Sequence, residues 1–104
     1  MSHASAQRGT WGLSSERQGQ VLLDLAAERD RQDQAWGDHS DHPPSLWLAM
    51  LLEEVEEVAE AILAEFVANR TGGRAHKHLR EELVHVAAVA VAWVEGLDRR
   101  AAGE

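Results

Sequence analysis

The chain has 104 residues, 44% hydrophobic and 27% charged, which fits one soluble globular domain and leaves no length for a second independent core. Without cysteine, disulfides, thiolate zinc sites and a cysteine nucleophile are excluded, so stability has to come from packing. Eighteen acidic against ten basic residues give a formal net charge of -8, which disfavours duplex nucleic acid as a partner. The longest apolar stretch, residues 86–94, is about half of a bilayer span, and no basic segment followed by an apolar one opens the chain. No membrane association and a cytoplasmic location are expected.

Alanine, leucine, glutamate and arginine abound while glycine and proline are confined to a few places, a composition that predicts an all-α fold. Residues 1–13 are mostly small and polar without a period and read as a flexible arm, residues 14–100 as the helical domain and residues 101–104 as a flexible end. The first helix is expected from Ser14 or Ser15, where Ser15 and Gln18 fit a capping box, to a stop at Gly37. The loop GDHSDHPPS follows. Its His39 and His42 can form a metal site or an exposed lid, although exposed loop histidines usually do neither, and Pro44 suits the first position of a second helix.

Over residues 46–69, Leu48, Leu52, Val55, Ala59, Ile62 and Phe66 form one apolar stripe down a helix of roughly 35 Å. Thr71-Gly72-Gly73 supplies the stop. A third helix is expected over residues 75–99, striped by Leu79, Leu83, Val86, Ala90, Trp93 and Leu97, with Val84, Val89, Val91 and Val94 widening its apolar surface. Three helices leave Val84, Val91 and the outer edge of the third without enough neighbours. A homo-oligomer that completes a helical bundle is therefore expected.

The charges are segregated. Between Arg31 and Arg70 lie nine acidic residues and no lysine or arginine, whereas Arg70, Arg74, Lys77 and Arg80 follow with no acid among them. In the second helix Glu53, Glu54, Glu56 and Glu57 fall within five residues, and Glu54 and Glu57 share one flank of the stripe. Carboxylates one turn apart repel, and a divalent cation between them relieves the repulsion, so the pair suits magnesium or manganese. A solvated acidic face explains the same spacing. In the third helix His78, Glu82 and His85 share a face, and Glu82 to His85 has the Glu-x-x-His spacing of di-iron carboxylate bundles. A full di-iron site needs two such motifs, and a lone histidine at a core edge is commonly bonded to a neighbouring carboxylate.

The segments ERDRQDQAWG, WLAMLLEEVEEVAEAI and LREELVHVAAVAVAWVEGL, within residues 28–98, resemble the MazG-like all-α nucleoside triphosphate pyrophosphohydrolases, in particular the small single-domain branch of phages and actinobacteria. The resemblance implies antiparallel helices that dimerise, or pair as dimers of dimers (tetramers), into a four-helix bundle, and that family pairs E-E-x-x-E on one helix with E-x-x-D on the next to hold magnesium. The resemblance puts Glu54 and Glu57 on the first pair, with Glu53 as the adjoining acid and candidate general base, and Glu82 on the second glutamate. His85 stands where the family has aspartate, and Glu56 where it commonly has glycine. The implied reaction converts an NTP or dNTP to the monophosphate and pyrophosphate, with Mg2+ (or Mn2+) bridging triphosphate and carboxylates. Arg74, Lys77 and Arg80 would meet the distal phosphates. Arg29, Gln32 and Trp36, on one face of the first helix, would lie beside the nucleotide, although Trp36 and Trp47 also suit a core corner. The departures at His85 and Glu56 point alternatively to a catalytically degenerate helical module that binds nucleotide, and the Glu-x-x-His spacing to a di-metal oxidoreductase.

Overall fold

The structure is a computed structural model and describes residues 12–37, 41–72 and 79–103. Three helices, α1 (Gly12–Trp36), α2 (Pro44–Thr71) and α3 (Leu79–Ala101), make up an all-helical fold with no strand among the described residues. Among those residues no helix is long and apolar enough to cross a membrane.

The helix ends follow from local chemistry. Gly37 takes the left-handed conformation (φ 72°) that side-chain-bearing residues avoid, and its N–H donates to the Asp33 carbonyl at 2.9 Å, closing α1. Pro43 is extended and Pro44 opens α2, where the missing proline N–H costs nothing because the first turn has no acceptor for it. Gly72, at φ 74°, ends α2 as expected. In α3, Glu81 and Glu82 occupy the first turn and Arg99 and Arg100 the last, each sign complementing the helix dipole. One boundary differs from expectation. Helix α1 begins at Gly12, which puts Ser15 inside the first turn rather than at the N-cap, and residues 75–78, the expected start of α3, lie outside the described residues.

Helix α3 packs against both α1 and α2, which make no close backbone approach to each other among the described residues. Its inner face explains this central place: Ala88, Val89, Ala92 and Gly96 are buried, and such small side chains let neighbouring helices come close. The core is Trp47, Val89 and Ala92, flanked by Met50, Leu51 and Trp93, and the Trp47 and Trp93 rings stack with centroids 6.4 Å apart and planes 8° from parallel. The Cα radius of gyration, 17.3 Å, exceeds the roughly 13 Å of a compact chain of this length.

The stripe read along the second helix does not face this core. Leu48, Leu52, Val55, Ala59, Ile62 and Phe66 are all exposed in the single chain. The face of α2 that packs on α3 is carried instead by Trp47, Glu54, Ala61 and Ala68, seven-residue multiples apart and about 130° around the helix from the stripe. Within α3, Leu83 and Leu97 of the expected stripe are exposed as well, and Val94 with them, while Val84 and Val91 are half-buried. Many large apolar groups thus line the outside, while the inside combines the Trp47 and Trp93 rings with small and charged residues.

Candidate metal centre

Glu54, one turn beyond Met50 and Leu51 on the inner face of α2, is carried toward α3 by the same helical register that buries Trp47. Glu82 and His85 stand one turn apart on α3 and point back. His85 Nδ1 lies 3.9 Å from Glu54 Oε2 and 3.7 Å from Glu82 Oε2, and one donor atom from each of the three side chains falls within 4.8 Å of the other two. Donors sharing one cation at roughly 2.1 Å each stand between about 3 and 4.2 Å apart, so the two measured separations fall in the range that a common ion requires. Glu82 is buried, 8% exposed, whereas Glu54 and His85 are half-buried.

The electrostatics favour a cation. Burial pushes the Glu54 carboxyl above its ordinary range, the His85 imidazole opposes that rise, and the charges of Glu82, Glu57 and Glu28 add to it. A carboxylate held ionised among other carboxylates is stabilised by whatever positive charge enters the group. The donor chemistry fits a divalent ion: two carboxylates and one imidazole make a mixed oxygen and nitrogen set that suits manganese, iron or zinc better than magnesium, which prefers oxygen donors alone.

A further carboxylate completes the surroundings. Glu28 on α1 brings Oε1 to 3.7 Å from His85 Nε2, the ring nitrogen that faces away from Glu54 and Glu82. A ligating histidine is usually oriented by a carboxylate on its second nitrogen, and Glu28 stands at that position. It is also held by Arg31, whose Nε and Nη2 donate to its two oxygens at 2.9 and 2.5 Å, and by Gln32 Nε2 at 3.5 Å. The Arg31 hydrogen bonds hold the Glu28 carboxyl below its ordinary range despite partial burial. Sequence reasoning missed Glu28. The signal was present, because Asp24, Glu28 and Arg31 recur at i, i+4, i+7 on α1, but only packing shows that this face meets His85.

The other expected site residues divide. Glu57 is half-buried one turn from Glu54 and outside the close donor group, acting on Glu54 through its charge. Glu53 is exposed. Arg29 and Gln32 are 7% and 1% exposed and belong to an internal network: Arg29 donates to Gln32 Oε1 at 3.0 Å, to Asp33 Oδ1 at 3.0 Å and to Glu95 Oε1 at 2.5 Å. Burial works against the Arg29 charge, yet the hydrogen bonds to Glu95 and Asp33 outweigh it and raise its pKa. Trp36, on the same helix face, is exposed. Arg80 is exposed and donates to Asp24 Oδ2 at 2.7 Å, joining α3 to α1. His42 lies against the Trp47 ring, centroids 5.4 Å apart. Arg74, Lys77, His78 and His39 lie outside the described residues.

Comparison of the chain with protein-family models, with curated proteins and with solved structures returns no match.

Proposed function

We propose that the protein is a divalent-metal-dependent nucleoside triphosphate pyrophosphohydrolase, releasing pyrophosphate from an NTP or dNTP to leave the monophosphate. The observation that carries this reading is the convergence of Glu54, Glu82 and His85 from two helices beside the carboxylate of Glu28. It is supported by the match of Glu54, Glu57 and Glu82 to the MazG-like motifs, and membership of that family is part of the proposal.

A divalent cation held by Glu54, Glu82 and His85 would supply neutralisation of the triphosphate and Lewis acidity at its phosphoryl oxygens. The chain's own groups do the rest. The clustered carboxylates weaken the approach of a bare triphosphate, so a cation's charge favours substrate entry, and Glu28, 3.7 Å from Nε2, is placed to orient the imidazole when it closes. Glu53, exposed one residue from Glu54, is the candidate base that takes a proton from the attacking water. The imidazole shifts the expected ion from Mg2+ toward Mn2+. A cytoplasmic setting, where nucleoside triphosphates are available, belongs to the same reading.

The working unit in this proposal is a homodimer, or a dimer of dimers, in which the α2 stripes of two copies pair and complete a four-helix bundle. Leu48, Leu52, Ile62, Leu63 and Phe66 are each exposed, an apolar row longer than monomeric proteins ordinarily leave in water. Phe66→Glu combined with Ile62→Glu should reduce the sedimenting mass to that of one chain. A wild-type protein that already sediments as a monomer at micromolar concentration would refute the assembly.

The decisive assay measures pyrophosphate from a panel of canonical and modified dNTPs with Mn2+ or Mg2+. Release from at least one nucleotide, reduced at least a hundredfold in Glu54→Gln and Glu82→Gln, is expected. No release from any member would overturn the hydrolase. The second reading, a nucleotide-binding module without turnover, is favoured by His85 standing at the aspartate position, and calorimetric binding without hydrolysis would select it.

A further inference from the structure

A cleft of about 330 Å³ between α1 and α3 opens beside the metal centre, and Glu28 and His85 belong to both. Asp24, Arg31, Arg80 and Val84 complete most of its lining, together with the exposed Glu81. Its two guanidiniums are each tied to a carboxylate of α1: Arg31 to Glu28 and Arg80 to Asp24. Both cations reach water: Arg31 is 58% and Arg80 60% exposed at the side chain, so an anion in the cleft meets each guanidinium directly. Arg31 grips the largely covered Glu28 carboxylate through two hydrogen bonds, and a phosphate offers a guanidinium the same two-point engagement with more charge.

The position of Glu28 gives the exchange a consequence. One carboxylate serves two cationic or hydrogen-bonding neighbours, Arg31 at 2.5 Å and His85 Nε2 at 3.7 Å, and at that second distance the imidazole bond is not made. We propose that Arg31 is a positioning residue that couples phosphate binding to metal binding. An oligophosphate entering the cleft draws Arg31 from Glu28, and Glu28 closes on His85 Nε2–H, fixing the ring with Nδ1 turned toward Glu54 and Glu82. Arg80 leaves Asp24 for the same anion. Because linkage is reciprocal, the anion tightens the cation and the cation the anion. The inference rests on the metal-centre reading for its second half only.

Two measurements separate the halves. In chelator, with no metal, tripolyphosphate binding is followed by calorimetry for wild type, Glu28→Gln, Arg31→Gln and the double variant. Freeing Arg31 by Glu28→Gln should tighten tripolyphosphate about tenfold, equivalent to roughly 1.4 kcal/mol, and the gain should vanish in Glu28→Gln/Arg31→Gln. A general charge effect would survive in the double variant, and that survival, or no gain at all, overturns the exchange. Asp24→Asn with and without Arg80→Gln repeats the cycle on the other pair, and the same pattern is expected should the Glu28 variants fold poorly. Binding of Mn2+ alone, read by electron paramagnetic resonance, should be several-fold tighter in Arg31→Gln than in wild type and unchanged by Arg31→Gln in the Glu28→Gln background. An Arg31 effect that persists without Glu28 overturns the coupling. No Mn2+ binding in any variant defeats the metal-centre reading and the coupling together, and the Arg31 exchange then stands or falls on tripolyphosphate.

Discussion

The two seams that α3 makes with its neighbours are built from different materials. Against α2 the contact is apolar and ring-stacked, with Trp47 on Val89, Ala92 and Trp93. Against α1 it carries the ion pairs, with Arg29 reaching Glu95, Asp24 taking Arg80, and Glu28 facing His85, beside an apolar patch of Val21, Leu25, Leu83 and Val84. Apolar packing scales with buried area and is insensitive to salt and pH, whereas paired charges answer to both. The α2 seam therefore sets the rigid frame, and the α1 seam is the part that solution conditions and charged ligands can adjust. The candidate centre lies where the two meet, with Glu54 from one side and Glu28 from the other.

Four experiments test that contrast. Trp47→Ala, which empties the largest buried side chain, should cost about 3–5 kcal/mol in thermal or denaturant unfolding. If its cost is no more than that of an exposed substitution, the apolar seam is not the frame. Arg29→Met, which leaves the Gln32 oxygen buried without its donor and Glu95 without its partner, should cost about 1–3 kcal/mol. Much of the contribution from Glu95 should fade in high salt, since that carboxylate is itself partly exposed.

The third experiment concerns acid. The Glu28 carboxyl is held low by the Arg31 hydrogen bonds, and that of Asp24 by the hydrogen bond from Arg80, so their pairing is present above the ordinary carboxylate range and lost as pH falls through the depressed folded values. Below about pH 4.5 the α1 seam should loosen while the near-ultraviolet signal of the α2 seam persists. Simultaneous loss of both signals would show one seam rather than two. The smallest effect is at Glu54, whose folded carboxyl is raised by burial. The folded protein then binds its proton more tightly than the unfolded chain, so stability falls as pH rises from the ordinary value of 4.5 through the folded one. Glu54→Gln should slightly stabilise the metal-free protein at pH 7 and lose that advantage under acid conditions. An unchanged difference across the titration would contradict the burial of Glu54.

The three helices were legible in the sequence because their boundaries are local: Gly37, Pro44 and Gly72 each act through their own backbone angles. Glu54, Glu82 and His85 were legible too, since one-turn spacing puts side chains on one face and the acidic run marked which helix to examine. The choice of face was not. A stripe such as Leu48, Val55 and Ile62 shows that something apolar covers it, and nothing local distinguishes a neighbour in the same chain from one in another copy. The alanines and glutamates of the inner face have no comparable contrast. Arg29 and Gln32 were legible as a pair on one face, but their burial depends on Glu95, sixty-six residues away, and the approach of Glu28 to His85 has no signature shorter than the fold.

The near-parallel stack of Trp47 on Trp93 has a practical consequence. Two indoles held 6.4 Å apart couple electronically, so this pair forms an intrinsic chromophore whose circular dichroism exists only while the second and third helices are docked. Trp36, exposed at the end of the first helix, emits from a different environment. Among the described residues the protein thus carries two native optical labels, one for its frame and one for its adjustable arm, and in a Trp11→Phe variant partial opening can be watched without attaching a dye.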